Sequence, residues 1–253
     1  MTTFSNAFIT GASSGIGRAI ARDFAAKGTR VIAAARREPE LQSLVEEIRA
    51  AGGRADICVL DVADTDAVIA AIHQWEETTG GLDLVIANAG LGKIRAAHKS
   101  TWKDDIEPVL RVNILGAFAT LMAGMEVMIP RGKGTLVGIS SLASMRGLPK
   151  SGAYSASKAA LATFLETLRL DLGRKGLTVV DVRPGFVDTA MTSQNKTYMP
   201  MLMKVDDAVR AVVRGIERGD AIVTCPRTLA AFMSMTESMP DALYRAIASR
   251  VRF

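Results

Sequence analysis

Cysteine and histidine are scarce in this chain of 253 residues, which has two of each. Cys58 and Cys225 are too few for a disulfide framework, and they favour a reducing cytoplasm in which both thiols are buried. His73 and His98 stand far apart, and no cysteine or carboxylate is spaced to join them around a metal ion. The sequence therefore predicts a cytoplasmic protein without a metal site.

Long apolar runs are missing too. No stretch of about 18 uninterrupted apolar residues could span a bilayer, and the first apolar run, Ala7–Ile9, is too short for a signal peptide. Residues 243–253 carry three arginines among apolar side chains and could rest on an acidic membrane surface. We favour an ordinary C-terminal helix there and expect a soluble protein without membrane contact.

The chain also lacks a basic tract, although its net charge is +5. Its 31 lysines and arginines are scattered among 26 acidic residues, and no aromatic side chains are interleaved with a basic patch. We therefore expect no nucleic-acid partner.

Linkers, internal repeats and low-complexity segments are absent from the sequence. Hydrophobic residues make up 49% of the chain and charged residues 23%, which is ordinary globular usage. The sequence predicts one domain over residues 1–253.

Short β-branched runs alternate with longer segments of helical periodicity. The predicted strands are Ala7–Thr10, Arg30–Ala34, Ala55–Leu60, Leu82–Ala87, Thr135–Ile139, Leu177–Val182 and Ala221–Thr224. The predicted helices lie near Ile16–Lys27, Glu40–Ala51, Thr65–Thr78, Val109–Met128, Ser155–Gly173 and Asp206–Arg218, with Pro108 in the first turn of the fourth. Strict alternation covers both faces of a parallel sheet, so we predict an α/β, doubly wound, seven-stranded Rossmann-like fold with helices on both faces and ligands at the carboxyl ends of the strands.

A glycine-rich turn follows the first strand, with the sequence Thr10-Gly11-Ala12-Ser13-Ser14-Gly15-Ile16-Gly17. Glycines let the backbone approach a diphosphate at a helix N-terminus. Spaced glycines can also serve only the close packing of a helix on a strand, and the turn by itself leaves both interpretations open.

Arg36 and Arg37 follow the second strand, where a dinucleotide fold places the adenosine ribose. An enzyme that uses NAD usually has an acid there, whereas guanidinium groups bind phosphate oxygens in pairs. The two arginines favour a 2′-phosphate and hence NADP(H) over NAD(H). The alternative is a solvated loop pair.

Polar residues also follow the third and fourth strands, as Asp61-Val62 and Asn88-Ala89-Gly90. At that edge of the sheet they would lie near the adenine and ribose. A lone Asp or Asn could equally cap the next helix, but their placement after successive strands favours cofactor contact.

The residues that carry chemistry most directly are Ser141, Tyr154 and Lys158. Tyr154 and Lys158 are one helical turn apart and share a face, so an ammonium would stabilise the phenolate of a general acid whose free pKa is about 10. A serine hydroxyl can polarise a carbonyl oxygen while the phenol donates the proton. Lys158 could also hold ribose hydroxyls.

Taken together, these motifs resemble the short-chain dehydrogenase/reductase family in its compact form, over Thr10 to about Thr189. The resemblance implies that Gly11, Gly15 and Gly17 bind the cofactor. It also implies that Asn113 completes a catalytic tetrad by placing a water that links Lys158 to solvent; the alternative is a polar residue that kinks a helix. Ser141 precedes Tyr154 at the family's spacing, which makes Ser140 the weaker candidate. Ala87 departs from the family, which often has a second Asn there.

The loop Pro184-Gly185-Phe186-Val187-Asp188-Thr189 is similar to the family's loop at the nicotinamide end, although a Pro-Gly turn needs no ligand to explain it. The complete set of predicted cofactor contacts is Gly11, Ser13, Ser14, Gly15, Ile16, Gly17, Arg36, Arg37, Asp61, Val62, Asn88, Ala89, Gly90, Tyr154, Lys158, Pro184, Gly185, Val187 and Thr189.

Residues 189–204 resemble the family's variable substrate lid. Methionines in this segment, together with Leu142, Met145 and Leu148, suit an apolar or aromatic carbonyl compound, although they could equally fill a core. Arg146 and Lys150 could attract an acidic group or be solvated.

The expected function is NADP(H)-dependent interconversion of a carbonyl and an alcohol by hydride transfer. The alternative is a catalytically idle NADP(H)-binding sensor or scaffold, which would have no need of a proton donor. By resemblance alone, we expect a homodimer or homotetramer.

Overall fold

A computed structural model describes residues 2–193 and 199–248, and seven parallel strands form one sheet at its centre. The strands are β1 Asn6–Thr10, β2 Arg30–Ala35, β3 Arg54–Val59, β4 Leu84–Ala87, β5 Gly134–Ile139, β6 Leu177–Pro184 and β7 Ile222–Cys225. Their order across the sheet is β3-β2-β1-β4-β5-β6-β7. The predicted doubly wound, seven-stranded parallel sheet is confirmed.

Ten α-helices connect and follow these strands in the described residues. They are α1 Gly15–Ala26, α2 Glu38–Ala50, α3 Thr65–Thr79, α4 Glu107–Leu110, α5 Ala117–Met128, α6 Gly152–Leu172, α7 Ala190–Ser193, α8 Val205–Arg218, α9 Arg227–Glu237 and α10 Asp241–Ala248. The positions of α1, α2, α3, α6 and α8 agree with the predicted helices to within three residues at each end.

Alternate side chains along each central strand pack into two separate apolar cores, one on each face of the sheet. In β1, Ala7 and Ile9 pack under α1, α2 and α8, while Phe8 packs with the helices on the opposite face. In β4, Ile86 faces the first core and Val85 the second. Successive side chains of a strand point to opposite faces, so a sheet that is apolar on both faces must be covered on both.

The fourth predicted helix differs from the expectation. Helical conformation begins at Trp102 with a π-helical turn to Ile106, continues through α4, and passes a second π-helical stretch at Arg111–Gly116 before α5. Pro108 lies in the first turn of α4, as expected. A proline in the first turn of a helix loses no hydrogen bond within that helix, because the first N–H groups have no intrahelical partner.

One helical run in the described residues, Trp102–Arg131, is long and apolar enough to cross a membrane, with a mean hydropathy of 1.7 over its most apolar window. Half of that window is buried. Leu121 and Met128 of α5 lie in the apolar core against the sheet. The core helix of a soluble protein passes the same test of length and composition, so this run is weak evidence for a membrane span.

The sequence reasoning missed α9. Leu229 and Met233, four residues apart, and Thr236 share its buried face, and this spacing is a helical signal that the sequence offers. The expected C-terminal helix is present as α10, and the residues after Ala248 lie outside the described part of the chain.

Gly17 on α1 brings the helix unusually close to the turns after β1 and β4. A Cβ atom there would overlap the side-chain amide of Asn88 and the carbonyl oxygen of Gly11. That amide donates to the carbonyl oxygens of Thr10 at 2.9 Å and Gly11 at 3.2 Å. Gly17 therefore allows three backbone segments to meet at the start of the glycine-rich turn.

We expect Gly17→Ala to lower the free energy of unfolding by about 1–3 kcal/mol, because an added methyl group in a packed site forces neighbours apart. Thermal unfolding followed by circular dichroism measures this. Gly173→Ala is the matched control, since its backbone is helical and no heavy atom lies within 4 Å of the added carbon. Equal melting temperatures for the two variants would contradict the packing argument.

Candidate active site

The carboxyl ends of the strands border a cleft of about 510 Å³. All of the predicted cofactor contacts line it: Gly11, Ser13, Ser14, Gly15, Ile16, Gly17, Arg36, Arg37, Asp61, Val62, Asn88, Ala89, Gly90, Tyr154, Lys158, Pro184, Gly185, Val187 and Thr189. The cleft is also lined by residues outside the predicted cofactor contacts: Ala35, Leu60, Leu91, Val112, Ile139, Ser140, Ala190, Met191 and Thr192. Most of these are adjacent in sequence to predicted site residues, so strand ends were a usable signal.

The glycine-rich turn has the backbone that its sequence predicts. Gly11 and Gly15 have φ angles of 68° and 58°, a left-handed conformation that glycine adopts without steric cost. A Cβ atom on Gly11 would lie 2.7 Å from Cα of Ala89. The turn thus presents bare backbone to the cleft at the start of α1, the arrangement that suits a diphosphate.

The sequence favoured a cofactor contact for Asn88, and the structure shows hydrogen bonds from its side chain to the protein itself. Its side-chain amide holds the glycine-rich turn through the carbonyl oxygens of Thr10 and Gly11. Its backbone N–H donates to the Thr10 hydroxyl at 3.0 Å. Asn88 therefore borders the cleft while its amide group braces the turn.

Arg36, Arg37 and Asp61 lie together at the end of the cleft that is formed by β2 and β3. The Arg37 guanidinium donates to the hydroxyls of Ser13 at 3.0 Å and Ser14 at 2.8 Å. The Arg36 guanidinium, 63% exposed, lies 3.5 Å from the Asp61 carboxylate. Asp61 does not cap α3, because Asp64 does so by accepting from the Ala67 N–H at 3.0 Å.

Tyr154 lies near the start of α6 and lines both the cleft and a second cavity. Burial raises the pKa of its phenol, while a hydrogen bond with the Ser141 side chain lowers it by less. Ser141 lies just after β5, and its hydroxyl accepts from the Ala143 N–H at 3.1 Å and donates to the Pro184 carbonyl at 3.3 Å. At neutral pH Tyr154 is therefore a protonated donor beside a fixed hydroxyl.

Lys158 lies one turn further along α6, with its ammonium buried and donating to the Ile139 carbonyl at 2.7 Å. Burial lowers the pKa of Lys158 to about 8, and the nearby Asp181 carboxylate partly opposes this. The ammonium lies 5.8 Å from the centre of the Tyr154 ring. Burial outweighs any lowering of the Tyr154 pKa by this ammonium, contrary to the expectation from the sequence.

Ser140 and Asp181 form a buried polar pair behind the site. The Ser140 hydroxyl donates to the Asp181 carboxylate, which also accepts from Arg183 at 2.6 Å. Ser140 thus has a partner of its own in β6, whereas Ser141 is the serine that contacts Tyr154.

Asn113 lies in the second π-helical stretch and is completely buried. Its side-chain oxygen accepts from the Leu91 N–H at 2.7 Å, and its amide donates to the Leu91 carbonyl and the Ser157 hydroxyl, both at 2.9 Å. The amide therefore joins the loop after β4 to α6. This contact set shows a bracing residue, and the water relay implied by the family resemblance stays a prediction.

The loop after β6 runs between the two cavities. Val187 forms a parallel bridge with Met203, and the backbone N–H of Thr189 donates to the Thr192 hydroxyl at 2.9 Å. Pro184, Gly185, Val187 and Thr189 all border the cleft. In the predicted lid, α7 and residues 199–204 are described, whereas Tyr198 lies outside the described residues.

The second cavity has a volume of about 470 Å³ and shares Tyr154, Gly185, Met191 and Thr192 with the cleft. Apolar side chains provide most of the remaining wall: Leu142, Leu148, Phe186, Leu229, Phe232, Met233, Met239 and Ile247. Five of these eight residues lie in or beside α9 and α10, which the sequence reasoning did not connect with the site.

The remaining candidates from the sequence have local explanations. Arg146 is not a solvated side chain, since it donates to the carbonyl oxygens of Thr236 and Glu237, both at 3.2 Å. His73 pairs with Glu126 on the surface. Burial raises the pKa of the Cys225 thiol to about 11. Within residues 2–193 and 199–248, no group of three or more His, Cys, Asp or Glu side chains could hold a metal ion.

The cleft has the features that a nicotinamide dinucleotide requires. Bare glycine backbone opens α1, arginines flank the far end, and a half-buried phenol and a buried ammonium face the near end. These residues fit such a cofactor, with Lys158 and the loop after β6 at the end where the second cavity begins.

Comparison with known proteins agrees with this geometry. Residues 5–199 match the family model described as short chain dehydrogenase. An uncharacterized oxidoreductase of Myxococcus xanthus is 45% identical over 99% of this chain and 98% of its own length. A 3beta-hydroxysteroid dehydrogenase of Mediterraneibacter gnavus is 34% identical over 74% of this chain and 67% of its own length.

A solved structure is similar over the whole chain. It is the short-chain dehydrogenase from Sphingobium yanoikuyae in complex with NADPH, with a TM-score of 0.83 and 25% identity over 98% of this chain and 96% of that one. The family match covers more than half of the sequence, and the parallel sheet, the glycine-rich turn and the paired Tyr154 and Lys158 accompany it. The chain is therefore an oxidoreductase that belongs to the short-chain dehydrogenase/reductase family.

Proposed function

We propose that the protein is an NADP(H)-dependent oxidoreductase that interconverts an apolar or aromatic carbonyl compound and its alcohol. One observation carries this proposal: Tyr154 lies at the junction of a polar cleft suited to a dinucleotide and an apolar cavity. A proton donor at such a junction can reach a substrate oxygen while the two ligands occupy separate spaces.

Arg36 and Arg37 support the preference for NADP(H) over NAD(H). Both guanidinium groups border the cleft at the carboxyl end of β2, where an adenosine ribose lies in a dinucleotide fold. Arg37 is ordered by Ser13 and Ser14, whereas the more exposed Arg36 is paired with Asp61 at 3.5 Å and is free to turn towards a phosphate. The similar structure from Sphingobium yanoikuyae contains NADPH.

In the reaction we propose, a bound nicotinamide supplies or accepts the hydride. Tyr154 donates its phenolic proton to the substrate oxygen during reduction, and its raised pKa keeps that proton available at neutral pH. Ser141 hydrogen-bonds the same oxygen and polarises the carbonyl. Lys158 binds ribose hydroxyls with its ammonium, and Asn113 holds the loop after β4 in place.

The alternative is a catalytically idle NADP(H)-binding sensor or scaffold. Such a protein needs the cleft but neither a buried phenol nor a second cavity that meets it. The position of Tyr154 between the cleft and the second cavity, which Ser141 also lines, therefore favours the enzyme. We also propose that the protein acts as a homodimer or homotetramer in the cytoplasm, which rests on family resemblance and cysteine content.

Tyr154→Phe should retain its affinity for NADPH and lose at least about 99% of carbonyl reduction, because only the donated proton is removed. The measurement is NADPH oxidation with a panel of apolar and aromatic ketones and aldehydes, alongside a fluorescence titration of NADPH. Turnover within a few fold of the parent protein would reject Tyr154 as the acid. Turnover by neither protein, with NADPH bound, would favour the sensor.

Arg36→Ala should weaken NADPH binding about tenfold or more while NADH binding changes by less than about twofold, since a charge-assisted contact with a phosphate is lost. Side-by-side titrations of the reduced cofactors at fixed salt measure both affinities. Arg22→Ala, which removes an exposed arginine paired with Glu47 outside the cleft, is the control. Equal weakening of both cofactors would show that Arg36 does not read the 2′-phosphate.

Reduction should decline as the pH rises through about 8, the pKa of Lys158, because the ammonium that binds ribose is then lost. Asp181 raises that pKa, so Asp181→Asn should move the decline to lower pH. The measurement is kcat/KM for NADPH between pH 6 and about 10, with the exposed Asp206→Asn as control. If kcat/KM declines at the same pH in all three proteins, Asp181 does not influence the pKa of Lys158.

A further inference from the structure

The helices α9 and α10 form much of the wall of the second cavity, and they are held to the rest of the protein in different ways. The inner one, α9, is anchored by apolar packing, because its Leu229, Ala230 and Met233 form a buried cluster with Leu142. The outer one, α10, contributes Tyr244, Ile247 and Ala248 to the cavity. None of the eight residues of α10, all of them described, is buried. Apolar burial therefore secures α9 but not α10.

Arg146 connects both helices to the segment between β5 and α6, which also carries Ser141 and is called the catalytic loop below. It stands five residues after Ser141, and its side chain is 22% exposed. Its guanidinium donates to the carbonyl oxygens of Thr236 and Glu237 at the end of α9. Arginine at a helix C-terminus satisfies carbonyls that lack partners within the helix.

The same guanidinium reaches α10 by two further contacts. It lies 3.6 Å from the Asp241 carboxylate in the first turn of α10. Its carbon atom lies 4.5 Å from the centre of the Tyr244 ring, which is a cation–π arrangement. The Tyr244 hydroxyl in turn donates to the carbonyl oxygen of Gly147, next to Arg146, at 2.6 Å. Polar contacts centred on Arg146 thus hold α10 beside the cavity.

We propose that Arg146 is a positioning residue that determines specificity by holding α10 as the outer wall of the second cavity, and that this cavity selects apolar ketones of two or more fused rings. The proposal rests on the proposed function for its reaction. Arg146 acts through α10 and does not line the cavity or the cleft.

The size and lining of the cavity support this class of substrate. Its volume of about 470 Å³ falls within the range of about 300–1,000 Å³ found for sites of drug-sized ligands. The wall contains Met191, Met233 and Met239. Methionine side chains are flexible and can adapt to the irregular shape of an apolar ligand. Lys93 also lines the cavity, but its ammonium is 3.5 Å from the Asp105 carboxylate, so its charge is already paired.

Substrate size should decide how strongly α10 matters. The residues that the cavity shares with the cleft are Tyr154, Gly185, Met191 and Thr192, and none of them belongs to α10. A one-ring ketone can occupy that junction without touching α10. We expect a larger, fused-ring ketone to extend further towards the part of the cavity that α10 covers.

The test compares Arg146→Ala with the parent protein, using cyclohexanone and 2-decalone as one-ring and two-ring probes with NADPH. We expect KM for 2-decalone to rise about fivefold or more with kcat nearly unchanged, because binding to ground state and transition state is lost equally. KM for cyclohexanone and the affinity for NADPH should change by less than about twofold. Hydrogen exchange of the amides in α10 should accelerate about tenfold or more.

Arg245→Ala is the matched control. Arg245 also pairs with Asp241, at 3.1 Å, but it is 76% exposed and has no contact with α9 or the catalytic loop among the interactions described. Exposed ion pairs contribute little, so this variant should behave like the parent protein. Arg146→Lys, which keeps the charge but loses the planar fork and the stacking surface, should fall between the parent and Arg146→Ala, and it also serves if Arg146→Ala does not fold.

Equal changes in KM for both ketones, or unchanged hydrogen exchange in α10, would overturn the proposal. If the parent protein reduces neither these ketones nor any compound of the wider carbonyl panel, the proposed function fails, and hydrogen exchange still decides the inference. Protection of α10 by 2-decalone in the parent protein but not in Arg146→Ala would then support it. Absence of that protection in the parent protein would overturn it.

Discussion

All seven strands run parallel, so their carboxyl ends meet at one edge of the sheet, and every part of the candidate site depends on this constraint. The glycine-rich turn, the two arginines, Asn88 and the loop after β6 each follow a different strand, yet they border one cleft. Ser141, which follows β5, lines the adjoining second cavity. Two apolar faces on the sheet require helices on both sides. The helices begin at the same edge, which brings backbone N–H groups and the side chains of α6 to the cleft.

Burial sets the electrostatics of the catalytic pair. It disfavours the charged form of both groups, so the pKa of the Tyr154 phenol rises while that of the Lys158 ammonium falls to about 8. Ser141 and Asp181 oppose these shifts without reversing them. At neutral pH the site therefore holds a neutral phenol beside a cation, the protonation states that suit reduction of a carbonyl.

The family match ends at residue 199, whereas much of the second cavity is built from residues after it. The glycine-rich turn, Ser141, Tyr154 and Lys158 thus lie within the matched residues, whereas α9 and α10 lie after them. Different interactions hold the two helices in place. Apolar packing holds α9, whereas the polar contacts of Arg146 and Tyr244 hold α10. A wall held by polar contacts can separate more readily than one held by a buried cluster.

The sequence by itself determined the fold class, the strand positions and most of the residues that border the cleft. These features depend on local signals: β-branched runs, helical periodicity, glycines that need left-handed backbone, and polar residues directly after strands. The family resemblance also indicated Ser141 in preference to Ser140, because the family's pattern expects a serine at that spacing from Tyr154.

Only the tertiary structure decided what those residues contact. It showed that the Asn88 and Asn113 amides brace neighbouring loops, that burial outweighs the influence of Lys158 on the pKa of Tyr154, and that Arg146 fastens the C-terminal helices. Each of these outcomes depends on partners that are distant in the chain. Hydrogen bonding and desolvation depend on which groups are brought together and how much water is excluded, and neither quantity can be read from local sequence.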